Sequence, residues 1–158
     1  MRRFATTTLA ICIATAASAD ETRTMEHLSC AAFAELSLFP LARMEGADKA
    51  NAEADRLRDA HLSEALRLGV PLIDEGGSGF AGRLLKPAPI GGSAEAGIGA
   101  FFARLAWMED HLFEMRHGAP QTDERSLDAR FEDLADWYRA RAAYMIEHYK
   151  IARCNELL

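Results

Sequence analysis

The chain has 158 residues, of which 24 are acidic and 18 basic, giving a formal charge of −6 at pH 7. That imbalance works against nucleic acid and anionic lipid surfaces as partners. The length is that of one domain with its own core.

At the N-terminus Arg2 and Arg3 precede an apolar stretch, Leu9 to Ala17, that closes on Ala17-Ser18-Ala19. This is the layout of a secretory signal peptide with an A-x-A cleavage site. Residues 1–19 are therefore expected to be removed, leaving 20–158 as a single helical-bundle domain in a periplasmic or secreted location. The apolar run is shorter than the roughly 20 residues that span a bilayer, and no later stretch is apolar enough, so the product is expected to be soluble. Without Arg2 and Arg3 the mature chain keeps 16 basic residues (18 minus 2) against 24 acidic ones, a charge of −8.

Cys12 leaves with the leader, because the bulky Ile11 before it does not suit a lipoprotein signal. Cys30 and Cys154 remain, and in an oxidising compartment an even pair reads as a disulfide. Closing so long a loop is worth about 5 kcal/mol in the chain-entropy picture. C-x-x-C is absent, which removes support for thioredoxin-like chemistry and for covalent haem attachment.

Four segments read as helix. The first, Thr24 to Phe39, has Thr24 at an N-cap position and stops before Pro40; it is apolar nearly all round, which predicts burial by several neighbours. The second, Arg43 to Leu68, is expected to end at Gly69 with Pro71 beyond, and its inner face is thin: Ala47, Ala50, Ala54, Leu57, Ala65 and Leu68. Residues 70–92 are rich in glycine and proline and form a long connection of a kind that is usually functional or mobile. The third helix runs from an N-cap at Ser93 to His117, with Phe101, Leu105, Met108 and Leu112 as its expected buried face. The fourth, Thr122 to Ala152, carries the clearest stripe: Leu127, Phe131, Leu134, Tyr138, Ala142, Met145, Tyr149 and Ala152. Short, long and short connections point to an all-α, antiparallel four-helix bundle with a long Gly/Pro-rich loop between helices 2 and 3. Cys154 faces away from the stripe on an unbroken helix, so the helix must loosen or end near Ala152 for the bridge to Cys30 to close.

Gly77-Ser78-Gly79-Phe80-Ala81-Gly82 fits G-x-G-x-x-G, but the context fails. A dinucleotide loop needs a feeding strand and a following helix, and Pro87 and Pro89 interrupt any helix started at Gly82. Arg83-Leu84 stands where a Walker A loop needs Lys and then Ser or Thr. The stretch reads as a crossover loop anchored by Ile73, Phe80, Leu84 and Leu85.

Glu114 and His117 match the E-x-x-H element of di-iron bundles, yet they fall opposite the expected buried face and no second copy exists. They remain a weak surface metal pair. Trp107 lies on the same outward side, where it is expected either to rest under the long loop or, with Phe80, to mark a partner surface for a second copy or another protein. His61 on the inner face of helix 2 and His148 beside Trp137, Arg141 and Tyr144 are the candidates for haem, which bundles hold between helices. No Ser or Cys sits in a nucleophile motif. The sequence thus points first to a non-catalytic protein that binds a protein partner or small ligand through the 70–92 loop and the Trp107 surface. A haem- or metal-carrying bundle comes second and an enzyme last.

Overall fold

A computed structural model describes residues 4–39, 46–74, 92–120 and 127–158, and the side chains of 4–18 and 127 lie outside it. The described residues form four α-helices with no strand among them: α1 (Phe4–Leu36), α2 (Ala47–Asp74), α3 (Ala94–His117) and α4 (Leu127–Ile151). A 3-10 turn, Cys154–Glu156, follows α4. No helix among the described residues is long and apolar enough to cross a membrane.

α1 packs against each of the other three helices. Its burial is accordingly nearly circumferential: Leu28, Cys30, Ala31, Ala32, Phe33, Ala34 and Leu36 are all buried. The expected start at Thr24 is not a helix start. The helix already runs through the preceding residues from Phe4, and the buried Thr24 hydroxyl donates to the Asp20 carbonyl one turn back, at 2.8 Å. Beyond the C-terminal end of α1, the Asn51 side chain of α2 holds the Phe39 backbone twice, accepting from its N–H at 2.8 Å and donating to its carbonyl at 3.0 Å.

α2 continues past the expected stop at Gly69 and takes Pro71 within the helix. Gly69 is small for a packing reason. A Cβ there would stand 2.9 Å from Ile98 Cδ1 and 3.0 Å from Thr24 Cγ2, so this glycine lets α1, α2 and α3 converge. The Leu28, Ala65, Ile98 and Phe101 cluster fills that end of the core.

The ends of α3 follow the sequence signals. Ser93 Oγ accepts from the Ala96 N–H, and Gly118, at φ 83°, closes the helix with its N–H on the Glu114 carbonyl at 2.8 Å. Its buried face does not follow them. Met108 is 44% exposed, whereas Phe113 is fully buried. The first half of α3 presents Ile98 and Phe101 to α1 and α2. The second half turns Phe113 toward Trp137 and Tyr144 of α4, with ring centroids 5.4 and 5.3 Å away. One straight stripe cannot serve two neighbours on different sides.

On α4 the buried positions are Ala135, Arg141, Ala142, Met145 and Tyr149, while Phe131, Leu134 and Tyr138 are half-buried and Ala152 is exposed. The helix ends at Ile151, Arg153 takes a left-handed conformation (φ 55°), and the 3-10 turn brings Cys154 inward. Cys154 is bonded to Cys30 with a Cα–Cα distance of 5.7 Å. Both cysteines sit in a core cluster with Phe33, Phe113, Met145 and Tyr149.

Candidate functional site

α2 and α4 both pack on α1, and between them lies an open crevice of about 300 Å³. Small residues from two helices help to make the space: Ala34 from α1 and Ala50 and Ala54 from α2 line it. Phe33, Phe39, Leu57 and Ile146 supply the apolar surface, with Ser37, Glu53, Tyr149, Lys150 and Asn155 as its polar members. A concave, mostly apolar space with a few polar groups is the usual form of a small-ligand site.

Most of those polar groups are already engaged. Ser37 Oγ donates to the Ala34 carbonyl at 2.7 Å. Glu53 accepts two bonds from the Arg56 guanidinium, at 2.8 and 2.7 Å, which hold its carboxyl below the ordinary value. The Tyr149 hydroxyl lies 2.8 Å from His61 Nε2. The side chains of Lys150 and Asn155 have no hydrogen-bond or ion-pair partner among the described residues.

Behind Tyr149 runs a buried chain of polar rings. His61 is fully buried and His27 is 1% exposed. Their Nδ1 atoms are 2.9 Å apart, so one ring donates to the other, and His61 Nε2 completes the chain to Tyr149. Three helices, α1, α2 and α4, are thereby joined through one line of hydrogen bonds. Burial pushes His61 down to about 4, with the neighbouring His27 acting in the same direction. Burial also lowers His27, against the opposing pull of Glu64, and raises Tyr149. At neutral pH both imidazoles are uncharged, so one Nδ1 carries the shared N–H and the other accepts it. Protonating both would set two N–H groups facing each other.

Of the residues singled out from sequence, His61 lies on the inner face of α2 as expected. Both of its ring nitrogens are committed, so a haem iron would have to displace His27 or Tyr149 to reach it. His148 is half-buried and bonds the Tyr144 carbonyl through Nδ1 at 2.9 Å, with Phe33 and Tyr144 as ring neighbours. The two histidines share no hydrogen-bond or ring partner among the described residues. Glu114 approaches His111 Nδ1 at 3.6 Å, and His117 stacks on Phe113 at 4.4 Å, so these two side chains face different neighbours. Among the described residues no group of three or more His, Cys, Asp or Glu is arranged to hold a metal ion.

Trp107 is 68% exposed and stacks on His111 at 5.4 Å; Met108 and Met115 are exposed on the same helix. Phe80 and the rest of the 75–91 connection lie outside the described residues. Arg141, read from sequence as lying beside His148, is buried, pairs with Asp110 at 2.9 Å and rests over the Tyr138 ring at 4.8 Å.

Sequence reasoning did not single out His27. Its signal was present: His27 is one turn from Thr24 and Ala31 on a helix expected to be buried nearly all round, where an imidazole needs a polar partner. The crevice itself had no sequence signal beyond the alanines of α2.

No protein-family model matches the chain, and no curated protein or solved structure shows significant similarity to it.

Proposed function

We propose that this protein is exported, folds as an antiparallel four-helix bundle, and acts without catalysis by binding a small apolar ligand in the crevice between α1, α2 and α4. The crevice carries the reading: about 300 Å³ of space with apolar walls, at the lower end of the range for small-molecule sites. Export is supported by the leader layout of residues 1–19 and by the Cys30–Cys154 bridge, which suits an oxidising compartment. The antiparallel arrangement is supported by the order of contacts between α1 and α4, where Cys30 meets Cys154, Phe33 meets His148, and the Leu38 carbonyl meets Arg141. The glycines and prolines of 75–91 support a loop joining α2 to α3.

The test uses N-phenyl-1-naphthylamine, a neutral apolar fluorophore. The wild-type protein is expected to bind it saturably. Ala50→Phe places a ring in the crevice from an exposed position that no core contact depends on, and is expected to weaken binding at least about tenfold, or roughly 1.4 kcal/mol. Equal binding by the two proteins contradicts the assignment.

A second reading, self-association through α3, is favoured by the exposure of Trp107 together with Met108 and Met115, since aromatic and methionine side chains are enriched at interfaces.

A further inference from the structure

The polar groups of the crevice also bear on which small molecules it takes, and we infer that its ligand is a small monoanionic amphiphile, an apolar body carrying one carboxylate, with Lys150 as the residue that reads the anion. This rests on the crevice reading above and adds the ligand's chemical class. Three of the five polar residues already make bonds within the protein: Ser37 to Ala34, Tyr149 to His61, and Glu53 to Arg56. The Glu53 negative charge is balanced by Arg56. What remains at the edge is one positive charge, the Lys150 ammonium, and one amide, Asn155, neither with a partner among the described residues. An ammonium supplies three donors and the amide two more, a set that complements a carboxylate, whereas a cationic head would meet the Asn155 oxygen and a Glu53 carboxylate whose charge Arg56 already balances. The hydrophobic walls exclude a ligand that is polar throughout, because its groups would be desolvated without partners.

Size narrows the class. A space of about 300 Å³ holds roughly ten water-sized volumes at about 30 Å³ each, the bulk of a medium-chain carboxylate such as octanoate. A two-tailed lipid is several times larger.

The experiment displaces N-phenyl-1-naphthylamine from the wild-type protein with octanoate, octanol and octylammonium at low ionic strength. Octanoate is expected to displace the probe at about threefold to fivefold lower concentration than octanol, the range for an ion pair at a solvent-accessible edge, and octylammonium least well. Lys150→Gln is expected to erase the difference between octanoate and octanol, and Lys150→Glu to invert the order so that octylammonium leads. Both substitutions lie at an exposed position and leave the core intact. Equal or better displacement by octanol on the wild type overturns the inference, as does a preference for octanoate that survives Lys150→Gln. In either case, if Ala50→Phe still weakens probe binding, the crevice reading stands while its anion specificity falls. Absence of probe binding, or binding untouched by Ala50→Phe, overturns both.

Discussion

Acidification is the sharpest perturbation of the buried ring chain. In the folded protein His61 gains a proton only near pH 4, because burial and the adjacent His27 disfavour the cation, whereas in the unfolded chain an ordinary histidine does so near 6.5. Above 6.5 both states carry a neutral ring and the fold has its full stability. As the pH falls below 6.5 the unfolded state binds a proton that the folded state refuses, and stability declines until about pH 4, where the folded protein also takes it up. The gap between 6.5 and about 4 corresponds to about 3 kcal/mol at 1.36 kcal/mol per pH unit. His27, lowered for the same reason, adds in the same direction. Carboxylates also lose stabilising charge over part of this window, so the measurement is a difference. Urea unfolding from pH 7.5 to 4.5 compares the wild type with the His27→Leu, His61→Leu double variant. The variant is expected to be less sensitive to pH by about 2–3 kcal/mol across the window, whatever its stability at pH 7. Parallel pH profiles refute the reasoning. So does a wild-type imidazole NMR titration in which His61 changes charge near 6.5, a result that does not depend on the variant folding.

Two further perturbations address other parts of the molecule. Replacing Cys30 and Cys154 by Ser opens a loop of 124 residues' separation, and is expected to cost about 5 kcal/mol and lower the calorimetric Tm by roughly 10–20 °C; an unchanged Tm means that the bridge contributes nothing. Trp107→Ala removes a ring that is 68% exposed, so its folding stability is expected to stay within about 0.5 kcal/mol of wild type while any dimer seen by sedimentation velocity weakens. A dimer that persists in Trp107→Ala removes α3 as the self-association face.

What the sequence disclosed follows from the range of the signal. Local chemistry was legible: Ser93 and Gly118 frame α3 because capping depends on a few adjacent residues. The pairing of Cys30 with Cys154 followed from their being the two cysteines left after the expected leader, and the need for α4 to loosen or end near Ala152 from helical geometry. Signals with two physical meanings misled. Gly69 and Pro71 read as a helix stop, but Gly69 is small because Ile98 and Thr24 approach it, a contact between three helices that no local window contains. The face of α3 was mistaken in the same way, since Phe113 is buried by Trp137 and Tyr144 from a distant helix. His61 was placed on the inner side by periodicity, yet its partner His27 lies 34 positions earlier. The crevice is the extreme case, because it is defined by what α2 and α4 leave unfilled around alanines.

NMR mapping is the decisive test of the proposed ligand site between α1, α2 and α4. Titrating isotope-labelled protein with octanoate is expected to give saturable shifts at Ala34, Ala50, Ala54, Leu57, Ile146 and Lys150, which line the crevice, with little change around Trp107. No saturable shifts into the millimolar range, or shifts centred on the exposed face of α3, contradict it.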